Sequence, residues 1–222
     1  MGKLIGTLSE EKNHQITAII DESEAGLTAD KLASKLKHVD VAIDFSTAEA
    51  VQRNVKACVV AGVPMVEGTT GWNSRRIEIE NFVKANRGAV VFGANFSIGV
   101  NLFYRISDFA SVLFAKFPEY EAFIEEQHHS RKKDAPSGTA LKLKDIIAKN
   151  IKKDFGVSAT RAGNIPGTHR VGFDGNADQI LLEHFARSRE GFASGAILAA
   201  EWIRGRKGFY EFTDVMDEIL KK

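Results

Sequence analysis

Two histidines and a lysine lie close together in the middle of the chain, just before a segment that is typical of a helix start. His128 and His129 are adjacent, Lys132 follows His128 by four residues, and Ser137–Thr139 comes next. An imidazole can transfer a proton near neutral pH, and an ammonium can hold an anion or protonate a developing carbanion. The N–H groups of a helix start bind anions. The pattern predicts a site for a carboxylated substrate. The alternative is a solvated basic strand end followed by an ordinary capped helix.

A strand and a helix would position these groups. Residues alternate in a period of two from Tyr120 to Glu125, which predicts a strand over Tyr120–Ser130, and a proline then stops it. Ser137 is a good N-cap for the helix predicted over Ser137–Lys153. Gly138 lets a ligand approach the backbone closely, and the hydroxyls of Ser137 and Thr139 add donors. We expect the N–H groups of these three residues to be free for an anion.

The segment from Glu125 to Ala140 resembles the signature of the 4-hydroxy-tetrahydrodipicolinate reductase family, also called dihydrodipicolinate reductase. It has the form E-x-x-H-H-x-x-K-x-D-A-P-S-G-T-A, in which the position of the first acidic residue can vary by one. The resemblance implies a proton-handling role for His128 and a second proton-donating or anchoring role for Lys132. The substrate-binding residues that we expect are His129, Ser137, Gly138 and Thr139.

The same resemblance implies a reaction. Members of this family use NADH or NADPH to reduce the cyclic imine dicarboxylate 4-hydroxy-tetrahydrodipicolinate to tetrahydrodipicolinate, with loss of water, in the diaminopimelate route to lysine. Hydride addition leaves an electron-rich centre that must be protonated nearby, which suits a histidine and a lysine. The resemblance also implies a homotetramer.

The N-terminal part of the chain repeats a strand-then-helix unit. Short apolar runs at Gln15–Ile20, Val39–Phe45, Val63–Glu67 and Ala89–Gly93 alternate with segments of helical periodicity. This repeat predicts a parallel sheet covered by helices, so we expect an α/β fold with a Rossmann-like dinucleotide-binding domain. In such sheets, ligands bind outside the carboxyl ends of the strands.

The predicted strand ends carry residues that suit a dinucleotide. Asp21 ends one strand at the position where an acidic residue grips an adenosine ribose, and Gly68–Thr70 offers small, donor-rich backbone. Taken alone, Gly68–Thr70 is better interpreted as a plain loop, and only the series of strand ends argues for a dinucleotide. The segments GTTG and GANFSIGVN also resemble the family's cofactor loops. The predicted cofactor-binding residues are Gly2, Asp21, Phe45, Ser46, Gly68, Thr69, Thr70, Gly93, Ala94, Asn95 and Phe96.

The charges near Asp21 favour NADH over NADPH. Asp21 can accept both ribose hydroxyls, and Glu22 adds a negative charge where a 2′-phosphate would lie. An NADP site usually has an arginine there, and none occurs between Thr17 and Lys31. Lys3 or Lys31 could reach the phosphate from elsewhere, and the family resemblance implies that both coenzymes are used.

The glycine-rich loop of a dinucleotide-binding domain is incomplete in this sequence. Such domains open with a strand and a G-x-G-x-x-G loop, whereas Met1–Lys12 resembles the last glycine of that loop and its helix. We therefore expect the N-terminal strand and the first part of the loop to be missing. This would leave Gln15–Ile20 and Val39–Phe45 each without a neighbour. The alternative is a genuine short form, in which another segment or a partner chain fills the gap.

The chain after Ser97 has a different pattern. A long helix predicted over Ile98–Lys116 is followed by mixed strands and helices that indicate a small α+β domain with an open sheet. We predict a dinucleotide-binding domain over residues 1–97 plus 191–222 and a substrate-binding and oligomerisation domain over residues 98–190. The return of the C-terminal part to the first domain is implied by the resemblance. An open sheet face suits an oligomer interface.

Composition bounds the remaining function classes. The 30 basic and 29 acidic residues balance, so nothing indicates a nucleic-acid or membrane surface. No apolar stretch has transmembrane length and no signal peptide is visible, which predicts a cytoplasmic protein. Cys58 lies in an apolar run and is predicted to be a buried structural thiol. His169 and His184 lack a second ligand at metal-like spacing, so we expect satisfied structural histidines and no metal site.

Two other functions stay open. Another two-domain nicotinamide dehydrogenase would share the strand ends, although it would not need the histidine–lysine segment before the helix. A non-catalytic form could keep the dicarboxylate pocket without binding the cofactor.

Overall fold

A computed structural model describes residues 1–221 of the chain. The helices and strands, in chain order, are α1 (Gly2–Glu11), α2 (Ala29–Lys35), β1 (Ala42–Asp44), α3 (Ala48–Ala61), β2 (Met65–Glu67), α4 (Arg76–Ala85), β3 (Ala89–Phe92), α5 (Ile98–Phe114), β4 (Glu121–His128), α6 (Gly138–Ala148), β5 (Val157–Arg161), β6 (Thr168–Asp174), β7 (Gln179–Phe185), α7 (Glu190–Ile203), β8 (Gly208–Glu211) and α8 (Phe212–Leu220). The chain forms two compact units. The first holds Met1–Ile98 and the segment from Phe192 onward, and the second holds Gly99–Gly191.

The first unit is built on a parallel sheet with the strand order β1-β2-β3-β8. Its central strands β2 and β3 are fully buried apolar runs apart from Glu67, as expected for a sheet covered on both faces. Asp44 pairs with Glu67, which pairs with Phe92, so the carboxyl ends of three strands lie at one edge. The predicted α/β class with a parallel, Rossmann-like sheet is confirmed.

The strand predicted over Gln15–Ile20 is wrong. This segment has no regular secondary structure, and the side chains of Ile16, Ile19 and Ile20 are exposed. Within residues 1–221, β1 is an edge strand that pairs with β2 alone, and no strand pairs with Gln15–Ile20. An apolar extended run becomes a strand only where a neighbour takes its N–H and C=O groups. Asp21 is therefore not at the end of a strand.

The N-caps of two helices in the first unit are Thr47, which precedes α3 and makes no side-chain cap bond, and Glu211, which precedes α8. The N–H of the neighbouring Ser46 donates to Asp44 Oδ1 at 2.8 Å. Strand β8 was not predicted from the sequence, because four residues are too few to show an alternating pattern.

The second unit holds a mixed sheet with the strand order β5-β4-β6-β7. A core of α5 and α6 side chains packs on one face of it, against Ala122 and Ile124 of β4 and Val171 and Phe173 of β6. Alternation along β4 then places Glu126 on the same buried face. No helix within residues 1–221 is long and apolar enough to cross a bilayer.

Candidate active site

Glu126 is the only charged residue that β4 buries, with 1% of its surface exposed. Its carboxylate accepts both guanidinium NH groups of Arg161, at 2.8 and 2.6 Å, and the backbone N–H of Ser137 at 2.9 Å. The Nδ1 atom of His128 forms a fourth, short hydrogen bond to it. Burial alone would raise the pKa of this carboxyl, but bonds from Arg161, His128 and Ser137 outweigh it and lower the pKa. Glu126 is therefore a fully bonded carboxylate.

His128 ends β4 and is oriented by Glu126. An ionised carboxylate is an acceptor only, so His128 Nδ1 must carry the hydrogen of their bond. Neutral His128 then presents a lone pair at Nε2. Burial lowers the pKa of His128, and the Glu126 carboxylate raises it. The charges of Lys132 and Arg161 act in the same direction as burial, so the pKa of His128 is lowered overall. Such an imidazole exchanges a proton at Nε2 while Nδ1 stays held.

Gly167 leaves room beside the His128 ring. Its φ of +133° lies in a region that side-chain-bearing residues rarely adopt. A Cβ there would also lie 3.2 Å from His128 Nε2, tighter than ordinary van der Waals contact. With glycine at this position, no side chain crowds Nε2 of His128.

His169 of β6 joins the same cluster. Its ring centroid is 5.1 Å from that of His128, and its Nε2 lies 3.0 Å from Ser137 Oγ. Burial and the neighbouring His128 lower the pKa of His169 to about 4, so this ring is neutral at pH 7. His169 Nδ1 is buried with no hydrogen-bond partner within residues 1–221. The prediction that His169 is a satisfied structural histidine is thus correct for Nε2 but not for Nδ1. The Nδ1 atom of His184 is also buried without a hydrogen-bond partner within residues 1–221.

The start of α6 is built as predicted, but its N–H groups are not all free. Ser137 is the N-cap, and its hydroxyl accepts the N–H of Ala140 at 3.2 Å. The N–H of Ser137 itself is taken by Glu126, so the prediction of a free donor there is wrong. Thr139 hydrogen-bonds the hydroxyl of Tyr104.

Lys132 and Asp134 form an ion pair beside this helix start. Lys132 Nζ lies 2.8 Å from Asp134 Oδ1. The bond from Lys132, aided by the N–H of Gly138, lowers the pKa of Asp134. An internal carboxylate therefore bonds both to the ammonium and to a helix N–H that we expected to bind the substrate. His129 Nδ1, close by in sequence, is buried with no hydrogen-bond partner in the described part of the chain.

The strand ends of the first unit carry a second polar cluster. Asp44 accepts the N–H of Ser46 and the side-chain amide of Asn54, each at 2.8 Å. Glu67 is fully buried, and its Oε1 accepts the N–H of Thr69 at 2.7 Å. Its Oε2 and the hydroxyl of Thr69 have no hydrogen-bond partner in residues 1–221. Burial and the nearby Asp44 raise the pKa of Glu67 to about 8.

Gly68 lies between that cluster and an aromatic contact. A Cβ at Gly68 would come within 2.2 Å of the Phe45 ring, so a larger residue would displace the ring. Phe45 packs edge-on against Phe96, with ring centroids 5.9 Å apart, and Phe96 packs on Phe212. The N–H of Ser97 donates to Asn95 Oδ1 at 2.9 Å. The predicted residues Phe45, Gly68 and Phe96 are thus brought together.

The other predicted cofactor residues occupy different settings. Gly2 opens α1, whose N-cap, Met1, makes no side-chain cap bond, so the first-turn N–H groups lack a capping acceptor. Asp21 caps the short 3-10 turn Glu22–Glu24, where its Oδ1 accepts the N–H of Ser23 at 2.8 Å. Asp21 therefore lies at the start of a turn and not at the end of a strand.

Three residues of the second unit's cluster escaped prediction from the sequence. Glu126 carried a signal, because it stands two residues before His128 and alternation places both on one strand face. Glu126 also stands one residue from the motif's first acidic position, which can vary by one. The contact of Arg161 with Glu126 had no local signal, because it depends on the pairing of β4 with β5. His169 arrives in the same way from β6, opposite Glu126.

Comparison with known proteins identifies the family. Residues 1–96 match the model described as dihydrodipicolinate reductase, N-terminus, and residues 99–216 match the model described as dihydrodipicolinate reductase, C-terminus. A 4-hydroxy-tetrahydrodipicolinate reductase from Christiangramia forsetii is 33% identical over 100% of this chain and 95% of its own length. The enzyme of that name from Methanocaldococcus jannaschii is 38% identical over 93% of this chain and 83% of its own.

A solved structure supports the fold. The structure described as dipicolinate-bound dihydrodipicolinate reductase from Paenisporosarcina sp. TG-14 aligns with a TM-score of 0.77 and 24% identity, covering 96% of this chain and 94% of its own. At this identity the likeness is evidence for the fold, while the sequence matches carry the relationship. This chain belongs to the dihydrodipicolinate reductase family.

Proposed function

We propose that this chain is an oxidoreductase that uses a reduced nicotinamide cofactor to convert 4-hydroxy-tetrahydrodipicolinate to tetrahydrodipicolinate, in the diaminopimelate route to lysine. The observation that carries the proposal is the combination of His128, held at Nδ1 by a buried carboxylate, with the start of α6 and Lys132. Family membership supplies the reaction, and this geometry supplies the groups that it needs.

His128 is the proposed proton donor. When its ring is protonated, Nε2–H can pass its proton to the electron-rich centre that hydride addition leaves on the ring. The product histidine is neutral and keeps its hydrogen on Nδ1, bonded to Glu126. The bond that breaks is Nε2–H, the bond that forms is C–H on the substrate, and one proton from solvent restores the donor.

The start of α6 and Lys132 are the proposed sites for the two substrate carboxylates. Asp134 already bonds to Lys132 and to the N–H of Gly138, so a carboxylate fits both donors. A substrate carboxylate would replace Asp134 on these groups, and the exposed Asp134 side chain can turn to solvent. Thr139 lies at the same helix start, and the buried Nδ1 of His129, which has no hydrogen-bond partner within residues 1–221, offers a further bond.

The strand ends of the first unit fit a nicotinamide cofactor. A bound nicotinamide would supply the hydride. The start of α1 at Gly2 has no side-chain cap and suits a pyrophosphate. The hydroxyl of Thr69 has no hydrogen-bond partner within residues 1–221 and suits a carboxamide or ribose. The proposed cofactor residues otherwise stay those predicted above: Asp21, Phe45, Ser46, Gly68, Thr70, Gly93, Ala94, Asn95 and Phe96. NADH is the proposed preferred form, because Asp21 and Glu22 bring negative charge.

Residues 98–190 are proposed to bind the substrate and to form an oligomer, and residues 1–97 with 191–222 to bind the cofactor. Support for the oligomer comes from β7, whose Ile180, Leu181 and Phe185 are about half exposed, at 46%, 47% and 51%. The family resemblance suggests a tetramer. The proposed location is the cytoplasm.

A coupled absorbance assay tests the function. The purified chain is mixed with NADH and freshly formed cyclic imine, and NADH consumption is followed. We expect saturable, enzyme-dependent consumption. The control is His38→Asn, an exposed histidine with φ of +70° at which asparagine is tolerated, and it should keep full activity. A folded chain that binds pyridine-2,6-dicarboxylate but consumes no NADH would instead favour the non-catalytic form.

A further inference from the structure

The Glu126 carboxylate connects two parts of the site that are distant in sequence. One oxygen, Oε2, bonds to the ring of His128 on the same strand. The other, Oε1, accepts the N–H of Ser137, the N-cap of α6, at 2.9 Å. A single side chain therefore holds both the proposed proton donor and the proposed anion site.

Arg161 fixes that carboxylate in place. Its two NH groups bond separately to Oε2 and Oε1, at 2.8 and 2.6 Å. The guanidinium also donates to the backbone oxygens of Thr160 and Asp134, which ties the loop before α6 to the end of β5. A planar guanidinium that bonds to both oxygens of a carboxylate removes its rotational freedom. Glu126 thus has one orientation available.

We propose that Glu126 is a positioning residue for the reaction: with Arg161 behind it, Glu126 holds neutral His128 in the Nδ1–H tautomer and aims Nε2 at the substrate. This inference rests on the proposed function only for its effect on catalysis, since the tautomer exists without any reaction. Glu126 itself is buried and does not need to touch the substrate.

The tautomer has a direct consequence for proton transfer. If Nε2 carried the hydrogen in neutral His128, the lone pair of Nδ1 would face a lone pair of the carboxylate oxygen. Two acceptors would then meet without a hydrogen between them, which is unfavourable. Holding Nδ1–H leaves Nε2 as the one nitrogen that loses and regains the proton in each turnover. The hydrogen bond made by one ring nitrogen of a histidine decides in this way which nitrogen carries the proton.

Glu126→Gln separates this role from simple structural support. The glutamine oxygen can still accept the N–H of Ser137, so the start of α6 is kept. The negative charge that raises the pKa of His128 is lost. A general acid is active while protonated, so the fall of kcat at high pH should move to lower pH. We expect kcat to drop on the order of 10- to 100-fold, while affinity for pyridine-2,6-dicarboxylate changes less than about threefold.

Glu125→Gln is the matched control. Glu125 is the preceding residue, its side chain is 44% exposed, and it pairs with Arg170 rather than with His128. It should leave kcat, the pH profile and ligand affinity unchanged. An equal loss of kcat in Glu126→Gln and Glu125→Gln would mean that any change of charge in β4 has the same effect. This result would overturn the proposal.

The decisive readout is the nitrogen NMR spectrum of the His128 ring at high pH, assigned by its loss in His128→Gln. We expect the wild-type protein to show the hydrogen on Nδ1, and Glu126→Gln to lose that preference. If Glu126→Gln fails to fold because Arg161 is left without its partner, Glu126→Gln/Arg161→Gln removes both charges and takes its place. A wild-type His128 with its hydrogen on Nε2 would refute the proposal even if the enzyme reduces the imine. An inactive wild-type chain with the Nδ1–H tautomer would refute the proposed function alone.

Discussion

Two buried carboxyl groups, Glu126 of β4 and Glu67 of β2, differ in how they are bonded. Both have about 1% of their surface exposed or less. Glu126 receives hydrogen bonds from Arg161, His128 and Ser137, and its pKa is lowered. Glu67 receives one N–H bond from Thr69, and its pKa is raised to about 8. Burial raises the pKa of a carboxyl in both places, and the partners decide whether the charge survives.

This difference separates the proposed roles of the two clusters. The charges around Glu126 are paired within the chain, which keeps the proton donor and the anion site in a defined arrangement. Near Glu67, one carboxyl oxygen and the hydroxyl of Thr69 have no partner within residues 1–221, so hydrogen-bonding capacity remains for a proton or a ligand. The first cluster suits the proposed proton transfer, and the second suits the proposed binding of the cofactor.

The largest expected effect is on His128. If the paired cluster carries the chemistry, His128→Gln should lower kcat by about 10²- to 10⁴-fold, the range for loss of a general acid or base. The Michaelis constant for the imine should change little, because the carboxylate-binding groups remain. Steady-state kinetics measure both values. If His128→Gln kept the turnover of the wild type, His128 would have no part in the mechanism. The proposed difference in role between the Glu126 and Glu67 clusters would then be wrong.

Lys132→Ala should have the next largest effect. Removing a charged hydrogen-bond donor to a carboxylate costs about 1.5–3 kcal/mol, so kcat/KM should fall roughly 10- to 100-fold, with a higher Michaelis constant. Lys133→Ala is the control, because the side chain of that neighbouring lysine is exposed. Identical behaviour of the two variants would show that the effect is general charge rather than a bond at the helix start.

Glu67→Gln should change the pH dependence of stability. In the unfolded chain Glu67 ionises near its ordinary pKa of 4.5, whereas the folded chain holds the proton up to about 8. The unfolded state therefore binds fewer protons between these values, and the stability of the wild type falls as pH rises through this window. Denaturant unfolding at pH 5 and pH 8 should show Glu67→Gln gaining on the order of 2–4 kcal/mol relative to the wild type. A difference independent of pH would show that Glu67 is ionised.

The same measurement on Glu126→Gln should give the opposite sign. The folded pKa of Glu126 is lowered, so its charge stabilises the fold above the unfolded pKa, and this contribution is lost as pH falls. The variant should therefore be less stable than the wild type at neutral pH and approach it in acid. Parallel slopes for the two variants would contradict the comparison. Glu11→Gln, at an exposed position of α1, supplies the reference.

Ser137→Ala tests the cap of α6. Loss of an N-cap side chain costs about 1 kcal/mol, and here it also removes the partner of His169 Nε2. Thr28→Ala removes the comparable cap of α2 without a histidine partner. Thermal or denaturant unfolding should show a larger loss for Ser137→Ala. Equal losses would indicate that the bond to His169 adds nothing.

Coenzyme choice should show the smallest effect. Asp21→Asn combined with Glu22→Gln removes two negative charges and should raise the NADPH to NADH ratio of kcat/KM by a few fold, about 1 kcal/mol. Asp30→Asn, on the exposed start of α2, is the control. Equal efficiency of the wild type with both coenzymes would end the proposal that NADH is preferred.

The parts that follow from local sequence were predictable. Ser137 as the N-cap, the alternation of β4 and the parallel sheet each rest on a few consecutive residues. The contact of Arg161 with Glu126 could not be predicted, because it depends on parallel pairing of strands separated by α6. Gln15–Ile20 failed for a related reason: its pattern is that of a strand, but strands require a partner that local sequence does not specify.

A deuterium-transfer experiment tests the central claim most directly. The purified chain is incubated with the cyclic imine dicarboxylate and with NADH that carries deuterium at the transferable position of its nicotinamide. Mass spectrometry and NMR then locate the label. We predict one deuterium on a ring carbon of tetrahydrodipicolinate, formed by the wild type and far more slowly by His128→Gln. A reduced product without deuterium, or no reduced product from a folded wild-type chain that binds both ligands, would contradict the account.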